Sequence, residues 1–297
     1  MPFESQFGIL IDPSSLSDTK TPPISPVAYE NGVRRILIKI AASKVGQAVL
    51  NTIRSNHRVV RIVPNVMNPN VCAPADTDEG DPMQYKWNAV TNVLNNVART
   101  HLPVLRGKVN FTPGMYAKGG PCQKLYAPRA QYTPSEDEVL LHELVHGARM
   151  VSLKFDLGPS TVARKGLSMY DSDEEFFAVL VENIYLSELK SGHLRSSHTS
   201  FMEMDQNLQS SLAFFQVSGN AFEKIEKFAT QNPGLAKALS KIEVPFNPVN
   251  AYFCHTAKAR EMSKSSYAKV RDLGPIGMVF APLLLGKAGP ASSTTGK

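Results

Sequence analysis

The stretch Leu140-Leu141-His142-Glu143-Leu144-Val145-His146-Gly147-Ala148 restricts this chain more than any other part of it. On an α-helix, residues four apart lie one turn above each other on the same face. His142 and His146 can then each turn an imidazole nitrogen toward one ion, with Glu143 about 100° round the helix and beside it. This is H-E-x-x-H, in which two histidines ligate zinc and the glutamate holds a water. The pattern arises by chance in roughly one chain in a hundred, so its surroundings decide its meaning.

Those surroundings are helical. Thr133-Pro134-Ser135-Glu136 offers an N-cap, a proline at the first helical position and a capping-box glutamate. Glu136, Asp137 and Glu138 put negative charge in the first turn, where the helix dipole favours it. Leu141, Leu144, Val145, Ala148 and Val151 recur at three- and four-residue steps, which predicts a half-buried helix over 135–152. Two histidines hydrogen-bonded within a core are the plain alternative, but glutamate is rarely buried on such a face unless paired.

A catalytic zinc site takes three protein ligands and keeps one position open. A third histidine would follow as H-E-x-x-H-x-x-G-x-x-H, yet Arg149 and Ser152 occupy the two positions that pattern needs. The remaining route is a glutamate from a following helix. Asp173-Glu174-Glu175-Phe176-Phe177 opens one, with Phe176, Phe177, Leu180, Val181, Ile184 and Leu189 as its apolar positions and Gly192 after it. Adjacent carboxylates diverge by about 100°, so only one ligates well. Glu175 is the expected ligand and Glu174 the alternative. Glu182, two turns further along nearly the same face, is the expected partner that orients a histidine. Glu143 then serves as general base. For a group that stabilises an oxyanion, the candidates are Tyr252 and His255, or Arg195 and His198.

Composition sets the class. The 297 residues are 42% hydrophobic and 20% charged, as in an ordinary globular protein. The net charge of +6 comes from scattered basic residues without interleaved aromatics, which argues against a nucleic-acid binder. Cys72, Cys122 and Cys254 include no C-x-x-C pair, which argues against a cysteine zinc site. Free thiols in a reducing compartment are their default state, with a Cys72–Cys122 pairing left open. The N-terminus lacks the basic start and apolar core of a cleaved signal peptide. The apolar run at 276–285 is too short to span a bilayer.

Four parts are expected along the chain. Residues 1–30 form a flexible Ser/Pro-rich leader, with a short strand at 7–11 as a lesser possibility. Residues 31–200 form the core: one long or two short helices to 55, a strand at 57–63, a loop at 65–82, a weakly helical piece at 87–97, a strand at 104–111, then the motif helix. Residues 201–288 are helical and packed on the core, and 289–297 form a disordered tail. The fold class is α+β, a small mixed sheet against the motif helix with a mostly helical C-terminal half.

Three features resemble the NleD-like family of bacterial effector zinc metallopeptidases. They are Leu141-His-Glu-Leu-Val-His-Gly-Ala after a loop and strand, Glu174-Glu-Phe-Phe-Ala-Val-Leu-Val-Glu-Asn-Ile-Tyr, and the helix and strand upstream from Gly32. Botulinum-type light chains share the H-E-L-I-H and Glu-Glu arrangement with the second glutamate as ligand, which favours Glu175. The resemblance covers about residues 31–200. Gly147 stands where alanine is commoner, and the C-terminal region has no counterpart. The resemblance implies a zincin-like fold of the gluzincin type, a Zn2+ cofactor, and delivery by a type III secretion system without a cleaved signal. It also implies action in the host cytoplasm on a host signalling protein, a stress-activated MAP kinase being one substrate in that family. Two rivals are a zinc hydrolase toxin acting on another bond or on competitor bacteria, and an effector that binds a host protein without cutting it.

Overall fold

Four short strands form: Ile9–Ile11 (β1), Val60–Val63 (β2), Asp76–Asp78 (β3) and Gly107–Asn110 (β4), with apolar–polar alternation in β2 and β4. In the computed structural model they form one mixed sheet in the order β1-β2-β4-β3. β1, β2 and β4 run parallel, with Ile11 beside Ile62 and Ile62 beside Val109. β3 closes the edge antiparallel to β4, Thr77 opposite Val109. Ile9, Ile11, Val60, Ile62 and Val109 are all buried. The structure describes residues 3–17, 24–65, 71–72, 75–78, 107–126, 132–155, 172–198, 201, 203–216 and 221–272. The expected helical piece at 87–97 and tail at 289–297 lie outside them.

Two expectations for the N-terminal region change. Residues 1–30 are not a leader throughout: the short strand allowed for at 7–11 is β1, an outer strand of the sheet, and Ser14–Ser17 (α1) follows it. Arg61 ties Asp12 to β2 through a hydrogen bond of 2.6 Å. The expected loop at 65–82 contains β3. Asp-Thr-Asp carries no apolar alternation to announce a strand; its pairing with β4 makes it one.

The periodic region after residue 25 is two helices, Pro26–Ala41 (α2) and Lys44–Ser55 (α3), meeting at a bend of 112°. Ser25 caps the first by accepting from Ala28 N, and Ser43 caps the second by accepting from Gly46 N. Gly46 makes the corner possible, since a Cβ there would stand 2.0 Å from the Ile40 carbonyl oxygen. Val33, Ile36, Leu37 and Ile40 of α2 and Val45, Val49, Leu50 and Ile53 of α3 enter the core.

Pro121–Tyr126 (α4) interrupts the expected loop before the motif helix. The motif helix is Glu136–Val151 (α5), and its N-cap is Ser135, two residues later than Thr133. Glu138, not Glu136, turns back to accept from Ser135 N at 3.2 Å, while Glu136 reaches Gly114 N instead. α5 is buried along nearly its whole length. Gly147 lets it close on the sheet, because a Cβ there would meet both Val60 methyls at 3.2 Å.

Asp173–Glu188 (α6) returns along α5, capped by Ser172, whose hydroxyl accepts from Glu175 N. Glu188 at its far end accepts from Lys44 N and Val45 N at 2.7 and 2.9 Å. A carboxylate on the exposed amides of a helix start is a favourable pairing, and it ties α6 to α3. Ala221–Gln231 (α7), Pro233–Leu239 (α8), Pro248–Cys254 (α9) and Thr256–Asp272 (α10) complete a mostly helical C-terminal half. Aromatic contacts Phe177–Phe228, Phe176–Phe214 and Phe214–Phe246 seat it on α6. Among the described residues, no single helix is long and apolar enough to cross a membrane.

Cys72 and Cys122 form a disulfide that joins the segment before β3 to α4, where free thiols were the default expectation. Folding brings their Cα atoms to 4.4 Å although 50 residues separate them. A cross-link over a loop of this size stabilises by about 2–4 kcal/mol. Urea unfolding of the oxidised protein and of Cys122→Ser is expected to differ by that amount, with the variant the less stable.

Candidate metal centre

Helix α5 carries His142 and His146 one turn apart and α6 carries Glu175, so the antiparallel pair brings the three together. His142 Nε2 and His146 Nε2 are 3.2 Å apart. Glu175 Oε2 lies 3.1 Å from the first and 3.4 Å from the second. Four donors at roughly 2.0–2.2 Å from a tetrahedral ion stand about 3.3–3.6 Å from one another. The triangle is within a few tenths of an ångström of that spacing. His198 adds a further nitrogen, its Nε2 3.1 Å from the same Glu175 oxygen. Ligand atoms of His142, Glu175 and His198 all lie within 4.8 Å of one another, and this group could hold a metal ion. His142 and His146 are buried, Glu175 is half-buried, and His198 is the most open, at 32% side-chain exposure.

A second set of residues orients the first. His142 Nδ1 meets Glu182 Oε2 at 2.7 Å. Glu182 is fully buried and also accepts from Arg195 Nη1 at 3.1 Å. Arg195 exchanges backbone hydrogen bonds with the Asn183 side chain at 2.6 and 2.7 Å. Its guanidinium donates to the carbonyls of Ser197 and His198 and lies over the Phe201 ring. Arg195 thus shapes the turn that presents His198 to Glu175. As an oxyanion candidate Arg195 is displaced, because its charge is spent on Glu182 and on backbone.

Of the two adjacent glutamates, Glu175 reaches the histidines and Glu174 turns away. Glu174 Oε2 accepts from Arg149 Nε at 2.6 Å and stands 4.0 Å from His146 Nδ1, a buried atom without a hydrogen-bond partner among the described residues. Arg149, fully buried, also donates to Lys154 O and Gln231 Oε1 and lies over Phe177. Glu143 is 7% exposed, its charge acts on the His142 imidazole, and it accepts from Thr77 Oγ1 at 2.7 Å. Tyr252 and His255, the other oxyanion candidates, are not brought to the cluster. Tyr252 packs on Phe222 and Phe253, and His255 is exposed at the end of α9. Two surface cavities, one bordered by Lys39 and Lys118 and one by Asn51 and Asn232, include none of the cluster residues.

Electrostatics agree with a cation at the centre. Burial opposes charge on His142, but Glu175 and Glu182 outweigh it and raise the imidazole to about 10. Burial likewise opposes ionisation of Glu175, yet the two histidines hold it well below the usual carboxylate range. Burial and Glu182 push the Glu138 carboxyl up, whereas Arg195 and His142 overcome burial and hold Glu182 down. Buried negative charge therefore gathers round the imidazoles, and a proton or a metal must balance it.

Sequence reasoning passed over Thr77, Arg149 and the presenting role of Arg195. Thr77 and Glu143 are 66 positions apart, and no local pattern links them. Compared with known proteins, the sequence matches no family model, no curated protein and no solved structure.

Because His142 holds a proton at pH 7 and a metal binds the neutral ring, metal uptake is expected to expel that proton. Calorimetry in buffers of different ionisation enthalpy checks this. Apparent affinity is expected to rise about tenfold per pH unit from pH 7 toward 9 for the one proton released. Glu182→Gln, which keeps the shape but loses the charge behind His142, is expected to weaken metal binding about 10- to 100-fold in competition with a chelator.

Proposed function

We propose that the protein is a zinc-dependent endopeptidase with a zincin-like fold. One observation carries the reading: three nitrogen and oxygen donors from His142, His146 and Glu175 converge at tetrahedral spacing, and the Glu143 carboxylate acts electrostatically on the His142 imidazole. The donor chemistry, two imidazoles and one carboxylate, suits zinc. The fold supports it too, with the motif helix on a small mixed sheet, an antiparallel edge strand beside Glu143 and a return helix bearing Glu175.

When bound, zinc supplies Lewis acidity, lowering the pKa of water and polarising a carbonyl. Glu143 accepts the proton of the attacking water and passes it to the leaving amine. Glu182 keeps His142 in the tautomer whose Nε2 faces the metal. His198, half-exposed on the open side, offers an N–H to charge developing on the carbonyl oxygen. The resemblance to NleD-like effectors extends the reading to a secreted bacterial protein that cleaves a host signalling protein, with a MAP kinase as the first substrate to try.

A second reading rests on His198. If its Nε2, 3.1 Å from Glu175 Oε2, is a fourth ligand, the centre is closed and structural. Cobalt substitution separates the two, because an open site changes its visible spectrum with added anions and a closed one does not.

Glu143→Gln is expected to keep full zinc and lose about 10²- to 10⁴-fold in cleavage. New protein N-termini should accumulate in cells expressing wild type and not in cells expressing the variant. A wild type without stoichiometric zinc, or a variant as active as wild type, would sink the proposal.

A further inference from the structure

Glu143 is the residue the proposed chemistry leans on most, and only one side chain among the described residues is hydrogen-bonded to its carboxylate. Thr77 Oγ1 lies 2.7 Å from Glu143 Oε2 and 3.1 Å from the Glu143 carbonyl oxygen. A threonine hydroxyl has one proton to give, and the ionised carboxylate is the stronger acceptor. Oε2 is thereby taken and the rotation of the carboxylate is restricted, while Oε1 stays free of protein donors among the described residues.

The hydroxyl is itself held in place. β3 pairs with β4 through Asp76, Thr77 and Asp78. Asn110 Nδ2 donates to Asp76, Ala75 N donates to the buried Tyr116 hydroxyl, and the Cys72–Cys122 bond anchors the preceding segment to α4. A strand of three residues therefore has four independent restraints, and its central side chain points at Glu143. The donor is also of the right kind. An arginine or lysine here would neutralise the carboxylate and weaken it as a base, whereas a neutral hydroxyl orients it and leaves its charge in place.

We propose that Thr77 is the positioning residue for Glu143, with β3 serving to hold the base at the angle from which its free oxygen meets the attacking water. The inference rests on the endopeptidase reading and goes beyond it by giving the edge strand a task in the reaction. Displacements of about 1 Å in such groups cost on the order of 100-fold in rate, so one hydrogen bond is enough to matter.

The test uses the full chain loaded with zinc and compares Thr77→Val, which has nearly the same shape without the hydroxyl, with Thr77→Ser, which keeps it. Thr77→Val is expected to retain zinc affinity and fold, with kcat lower by about 10- to 100-fold and KM within about twofold. Thr77→Ser is expected to restore kcat to within about threefold. Crystal structures supply a readout that needs no turnover: one Glu143 rotamer in wild type and Thr77→Ser, and more than one in Thr77→Val. Wild-type kcat in a folded Thr77→Val, a folded Thr77→Ser that fails to rescue, or a single unchanged Glu143 rotamer in Thr77→Val each overturns the proposal. A wild type that shows no Glu143-dependent cleavage overturns the endopeptidase reading instead, and that result is visible before either variant is made.

Discussion

The buried Glu182 carboxylate, held between His142 and Arg195, is the contact on which the rest of this centre depends. It lies at the middle of α6 with no exposure to solvent, so its charge must be met by protein. His142 answers from α5, and Arg195 answers from the turn that follows α6. One carboxylate thus aligns the two helices, sets the imidazole toward Glu175 and places the turn carrying His198. Removing one partner from a buried charged pair typically costs about 3–5 kcal/mol, which makes any other alignment of these elements expensive.

A second buried pair, Arg149 with Glu174, stands about two turns further along the same helix interface. Its guanidinium also reaches Gln231 on α7, so it joins the motif helix to the C-terminal half as well as to α6. Hydrophobic side chains would bury more favourably than either pair. Directionality is what the pairs supply. Leucines at 149 and 174 would permit α6 to slide or turn on α5, whereas a two-pronged guanidinium on a carboxylate does not. With the register held, Glu174 faces Arg149 and Glu175, one residue on, faces the histidines. The N-terminal half contributes the other border of the site, since the sheet carries β3 and β3 carries Thr77.

Much of this was legible because helical spacing is a local property. The four-residue step from His142 to His146, the apolar stripe beside them and the acidic first turn announce α5 before any contact is known. The seven-residue step from Glu175 to Glu182 does the same for one face of α6. The N-cap was misread by two residues, since Thr133 and Ser135 both precede a glutamate at the right distance and only the chain's path to Gly114 separates them. Ser and Pro outweigh Ile9-Leu10-Ile11 in composition, so a strand there shows only as a lesser possibility in the sequence, while a strand of three residues needs only a partner to form. Asp76-Thr77-Asp78 has no strand signal at all.

The sequence by itself determined the chemistry of the site: two imidazoles one turn apart, a carboxylate beside them, and an acidic residue on a following helix. Residue type and local periodicity suffice for that, since each concerns a single helix and its own rotamers. For Glu175 and Glu182 the tertiary structure placed residues that helical spacing had singled out, and it alone decided what Glu174 meets instead, where Arg195 spends its charge and which hydroxyl touches Glu143. Those choices depend on the rotation and register of one element against another. Long-range packing and buried charge determine them, and neither is encoded in the spacing of neighbours along the chain.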